Sequence, residues 1–111
     1  MRQKFGKKNR LGKDTSTVVT KGKRTKFNST VVFYRPDSCP RLSIIISKKV
    51  GNSVTRNKLK RWTREIFRIE KDNLKNFGIA VNYKPGAANY SYKKAKKILL
   101  KLWKKNKILK N

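Results

Sequence analysis

Histidine is absent from this 111-residue sequence, cysteine occurs once, and only five residues carry negative charge. Each scarcity removes a class of function. Without His the commonest general acid/base is missing, and Cys39 has no imidazole to activate it as a nucleophile. A lone thiol closes no internal disulfide, so nothing calls for an oxidising compartment. The carboxylates Asp14, Asp37, Glu65, Glu70 and Asp72 are scattered, so a two-metal nuclease centre, which needs several convergent carboxylates, is not expected. There is no P-loop, no glycine-rich dinucleotide fingerprint and no Cys/His metal spacing. No apolar run approaches the roughly 20 residues of a membrane-spanning helix. The basic start MRQKFGKKNRLGK leads into no apolar core, so no signal peptide is expected and the expected location is cytoplasmic.

What the chain has in abundance is positive charge: 32 Lys and Arg, for a formal net charge of +27. Such an excess opposes compaction by self-repulsion and asks for a polyanionic partner. Nucleic acid is the first candidate, because phosphate neutralisation with counterion release rewards many cations at once. An anionic membrane surface is the competitor, and only the C-terminal segment could supply the amphipathic helix it would need. With 36% apolar residues the chain can build one small core, so residues 1–111 are expected to form a single nucleic-acid-binding domain.

Residues 1–13 are basic, polar and glycine-bearing, and are expected to be a flexible tail. Asp14 is placed to cap a short helix running to Lys21, with Gly22 as its stop. STVVFYR (29–35) and RLSIIISKK (41–49) are strand-like, with Leu42, Ile44 and Ile46 on one face of the second. The turn RPDSCP between them suggests an antiparallel hairpin. Asn52 or Ser53 can cap a helix reaching to about Asn73. FGIAVNY (77–83) is a compact strand, KPGAAN a turn, and Ser91 a cap for a final helix over Tyr92 to Lys105. The expected fold is α+β in the order α-β-β-α-β-α, a sandwich of helices on a small sheet, with one further short strand near Phe27.

The segment GNSVTRNKLKRWTREIFR (51–68) concentrates the charge. On a helical wheel with Asn57 as origin, Lys60, Arg61, Arg64, Arg68 and Lys71 fall within roughly 60° of it. Thr55, Leu59, Trp62, Ile66 and Ile69 form the expected apolar face, centred roughly 160° away. A solvated helix face ordinarily mixes signs, because like charges at i,i+4 cost about as much as opposite charges gain, about 0.2–0.5 kcal/mol. Here Lys60–Arg64 and Arg64–Arg68 are like pairs, which favours a phosphate-binding ridge over simple solvation. The planar guanidinium fork suits phosphate oxygens and base stacking. Asn57 adds an amide that both donates and accepts. These features alone do not separate RNA from DNA.

The run ISKKVGNSVTRNKLKRWTREIFR resembles the signature of the bacterial ribonuclease P protein component, a Lys-Lys, a Gly-Asn turn and then Arg-Asn-Arg-x-Lys-Arg-x-x-Arg. NRLGKD, Gly22, the VVFY strand, FGIAVNY and a Tyr-x-x-x-Lys-Lys helix follow that family's order, so the resemblance covers nearly the whole chain. It implies an α-β sandwich like the second domain of ribosomal protein S5, with a left-handed βαβ crossover. It implies a noncatalytic protein subunit that binds ribonuclease P RNA and the 5′ leader of precursor tRNA. The holoenzyme, an endoribonuclease, hydrolyses the phosphodiester that releases the leader, with Mg²⁺ used by the RNA and no cofactor bound by the protein alone. Neither a small-molecule substrate nor a membrane partner is implied. By position Arg56, Asn57, Lys58, Lys60, Arg61 and Arg64 match the motif, and Arg68 extends the ridge. Phe33, Lys60 and Arg64 correspond to a leader-binding cleft. Two departures stand out: Lys58 replaces the usual third Arg, and Thr15 and Val19 stand where the family's first helix carries two aromatics. A structural ribosomal protein and an autonomous basic nuclease are the rival readings.

Overall fold

A computed structural model describes residues 9–110. The elements are α1 (Thr15–Lys21), β1 (Lys23–Phe27), β2 (Thr30–Pro36), β3 (Arg41–Ile46), α2 (Ser53–Glu70), β4 (Phe77–Tyr83) and α3 (Tyr92–Lys105), with short 3₁₀ turns between some of them. They form a four-stranded sheet in the order β1-β2-β4-β3, antiparallel except for the parallel β3–β4 pair.

That order corrects the expected hairpin. β2 and β3 do not pair; β4 lies between them. β4, whose residues from Gly78 to Val81 are buried on both faces, has the pattern of a central strand. β3 carries Arg41 and Ser43 on one face and takes an edge. The true hairpin partner of β2 is β1, through the two-residue loop Asn28–Ser29, where Asn28 accepts φ +52°. The strand expected near Phe27 is therefore a full strand. β3, α2 and β4 make a βαβ unit of parallel neighbours.

The sheet separates two clusters of apolar side chains. α2 and α3 cover one face, packing Leu59, Ile66, Phe67, Leu99, Leu102 and Trp103 against Val32, Leu42, Ile79 and Val81. On the other face α1 brings Val18 onto Ala80 and Leu11, with Val19, Phe33 and Ile45 partly buried beside them.

Residues 1–8 of the expected tail lie outside the described residues, but 9–13 are not a free tail. Asn9 and Leu11 are buried, Asn9 Nδ2 donates to Pro40 O at 2.9 Å, and Leu11 N donates to Leu42 O at 3.1 Å. Leu11 is the apolar anchor, and Gly12 at φ +52° turns the chain from the β3 edge into α1. Asp14 precedes α1 but its side chain makes no capping bond. At the other end Gly22 stops α1 with extended backbone, φ −82°, rather than a left-handed cap. A Cβ there would lie 2.4 Å from Val18 O and 2.6 Å from Tyr34 O, so glycine is needed for close approach of helix and strand.

Candidate nucleic-acid interface

α2 starts where Asn52 Oδ1 accepts from Thr55 N at 2.9 Å, and it ends at Glu70, with 71–73 continuing as a 3₁₀ turn. The expected extension to Asn73 thus tightens in its last turn. Its buried side is Leu59, Thr63, Ile66 and Phe67. This corrects the expected face: Ile69 is 49% exposed, while Thr63 and Phe67 point inward. The rotation is roughly 60° on the wheel. Thr63 tolerates burial because its Oγ1 donates to Leu59 O at 2.7 Å and sits 2.6 Å from the Tyr83 hydroxyl. With its single proton committed to Leu59, Thr63 accepts from Tyr83.

The same rotation decides where the cations face. Asn57, Arg61 and Arg64 are exposed and successive along the helix at i, i+4 and i+7, with Lys60 half-buried on their flank. Lys60 and Arg64 reach the exposed edge of the sheet, where with Arg10, Ser43 and Ile44 they line an open groove of about 220 Å³. The other motif residues have local engagements. Arg56 Nε donates to Gly51 O at 3.2 Å, closing the helix's first turn. Lys58 Nζ lies 5.1 Å from the centroid of the Trp62 ring, which also meets Tyr92 edge-on. Arg68 Nε donates to Glu65 Oε2 at 3.2 Å in an ion pair that raises the guanidinium's pKa. Hence the outward ridge consists of Asn57, Arg61 and Arg64, with Lys60 in the groove, while Arg56, Lys58 and Arg68 also brace the helix.

Phe33 is not brought to this groove. In β2, Val32 and Tyr34 face the α2–α3 core, so Phe33 alternates to the opposite face. There it stands opposite Ala80 of β4 and Arg24 of β1, and Ser43 of β3 is the next neighbour beyond Ala80. Lys60 and Arg64 thus lie in the groove at the β3 edge, while Phe33 lies two strands away on the sheet face partly covered by α1, in the row that leads through Ala80 to Ser43. Thr15 and Val19 lie on that helix, with Val19 packed beside Phe33's cluster. Sequence reasoning missed Arg10 and Ser43 in the groove, and Arg24 beside Phe33. Their placement depends on strand order, which the expected hairpin had wrong.

The carboxylates do not gather. Among the described residues no group of three or more His, Cys, Asp or Glu could hold a metal ion. Asp14 and Asp37 are both bound by Arg41, at 2.7 and 3.2 Å. No described helix is long and apolar enough to cross a membrane.

The family model for ribonuclease P matches residues 5–107. The ribonuclease P protein component of Dictyoglomus turgidum is 36% identical over 96% of this chain and 95% of that protein. Among solved structures, a mutant RNase P protein of Staphylococcus aureus superposes with TM-score 0.87 at 29% identity, over 93% of this chain and 92% of that one. The RNase P protein of Thermotoga maritima gives 0.78 at 33% identity, over 86% and 94%. Fold, ridge and these matches agree: the chain belongs to the ribonuclease P protein family, RNA-binding subunits of a ribonucleoprotein nuclease that acts in tRNA processing.

Proposed function

We propose that this chain binds the RNA of ribonuclease P through the α2 ridge and contacts the precursor-tRNA leader, assisting Mg²⁺-dependent removal of that leader. The observation that carries this reading is the exposed series Asn57, Arg61 and Arg64 with Lys60 on its flank, a run of cations whose nearest carboxylate, Glu65, is bound to Arg68. Arg61 and Arg64 offer paired donors to phosphate oxygens, Lys60 a point charge in the groove, and Asn57 an amide for ribose hydroxyls or base edges. On A-form RNA a helix cannot read bases in the deep major groove, so this ridge follows shape and backbone.

Phe33 gives the leader an aromatic face on which an unpaired base can stack, beside the cation of Arg24. In this reading the leader is contacted on the α1 side of the sheet and the RNA subunit on the α2 side. The dispersed carboxylates do not fit a Mg²⁺ site, so the metal belongs with the RNA in this reading, and so does the hydrolytic step. The protein's part is binding and positioning, and the proposed site of action is the cytoplasm.

Reconstitution tests it. The full chain mixed with ribonuclease P RNA at low Mg²⁺ should accelerate cleavage of precursor tRNA at the 5′ end. No acceleration would reject the proposal in favour of a purely structural RNA-binding role. Cleavage by the protein without RNA would support an autonomous nuclease instead.

A further inference from the structure

α3 is the second concentration of charge. Every exposed residue on it is lysine: Lys93, Lys94, Lys97, Lys101, Lys104 and Lys105. Lys93–Lys97, Lys97–Lys101 and Lys101–Lys105 are like pairs at i,i+4, and no acidic residue occurs on the helix to offset them. Lys93 and Lys94 also lie in the first turn, where the helix dipole disfavours cations. Between α3 and the β1–β2 loop runs an open groove of about 510 Å³, walled by Lys94, Lys97 and Lys101, with Ile98 and the Phe27 ring as its apolar surface. Phe27 is 37% exposed, and Lys101 Nζ sits 4.0 Å from its ring centroid.

This groove is remote from the α2 ridge. β1 and β3 are opposite edges of the sheet, three strand spacings or about 14 Å apart. α3 packs over β1 and α2 over β3.

We propose that the α3–β1 edge is a second RNA-binding surface, which takes a single-stranded segment while the α2 edge holds another part of the RNA. The inference rests on the chain being an RNA-binding subunit, but not on the α2 ridge. Phosphates lie along Lys94, Lys97 and Lys101, and a base stacks at Phe27. An aromatic ring among cations is the arrangement that binds unpaired polynucleotide without regard to sequence. A lipid surface fits less well, because Leu99, Leu102 and Trp103 are buried in the core and every exposed residue of α3 is lysine.

The test compares two triple variants of the full chain with equal loss of charge. Lys94→Gln/Lys97→Gln/Lys101→Gln removes the groove cations; Lys75→Gln/Lys84→Gln/Lys110→Gln removes exposed lysines elsewhere. Binding of a short labelled oligouridylate is followed by anisotropy across a salt titration. The groove variant should lower the slope of log K against log salt by about 2, at roughly 0.7 per phosphate contact on a single strand, while the control stays near wild type. Phe27→Ala should weaken binding about tenfold with little change in slope. Equal slopes for the two triple variants would overturn the second surface. So would loss of binding to phosphatidylserine vesicles with RNA binding intact. If Arg61→Ala/Arg64→Ala alone lowers the slope, only this inference fails; if the wild type binds no RNA, the proposed function fails with it.

Discussion

Arg41 Nη2 donates to Asp14 Oδ2 at 2.7 Å, linking the start of β3 to the residue that precedes α1. The same guanidinium donates to Asp37 Oδ2 at 3.2 Å and to the carbonyls of Arg10 and Leu11 at 3.3 Å. Its pKa is raised, first by the hydrogen bond to Asp14 and then by the charge of Asp37, against the cost of burial. Two of the five carboxylates in a chain of charge +27 are thus spent on holding α1 and the chain before it to the sheet edge. Arg41→Ala should destabilise the protein by about 1–2 kcal/mol, since partly exposed ion pairs contribute little and the carbonyl bonds supply the rest. Urea unfolding should show the lower midpoint, and hydrogen exchange should quicken at Leu11, whose amide bonds Leu42 O.

Gly22 makes a sharper test of how α1 is seated. Carbonyl oxygens of Val18 and Tyr34 would lie within 2.6 Å of any Cβ, and backbone cannot step aside as a flexible side chain would. Gly22→Ala should cost about 1–3 kcal/mol, as overpacking does. Because α1 partly covers the Phe33 face, leader affinity should fall while binding to ribonuclease P RNA through α2 holds. Equal loss of both would mean that the two faces are not independent.

Tyr83 is buried, and burial pushes its hydroxyl pKa well above the usual 10.0. A group whose folded pKa is raised contributes stability that is present below the unfolded pKa. That stability is lost as pH climbs above about 10, where the unfolded chain ionises and the folded one does not. The loss approaches about 1.4 kcal/mol per pH unit at its steepest. Lysine deprotonation acts in the same range and relieves repulsion, so the readout is a difference. Tyr83→Phe should cost about 1 kcal/mol at neutral pH for the lost hydrogen bond, and wild type and variant should converge as pH rises beyond 10.

Strand β4 and helix α3 are legible in the sequence to their end residues, because FGIAVNY is bounded by turn residues and Ser91 caps α3, its Oγ accepting from Lys94 N at 3.1 Å. The cationic ridge of α2 was legible because like charges at i,i+4 need an external reason. What resisted was pairing. Nothing local to the 29–49 segment shows that the distant strand β4 enters between its two halves. The α2 face was misjudged for a related reason. Thr63 looks polar and Ile69 apolar, and only the Tyr83 hydroxyl across the core makes the exchange favourable. Leu11 and Asn9, in a stretch basic enough to look unstructured, are anchored by β3 and Pro40.

The separation of the Lys60–Arg64 groove from Phe33 allows the proposed contacts to be tested apart. Arg61→Ala and Arg64→Ala should each lower the salt slope for ribonuclease P RNA by about one unit, with little effect on fold, since both side chains are exposed. Phe33→Leu keeps an apolar side chain beside Ala80 and Val18, so stability should change by less than about 1.5 kcal/mol. Stacking would be lost, so affinity for precursor tRNA with a long leader should fall about tenfold, with affinity for leaderless tRNA unchanged. A slope unchanged in both arginine variants would mean that the ridge does not meet phosphate. A Phe33→Leu loss that ignores leader length would place the leader elsewhere on the protein.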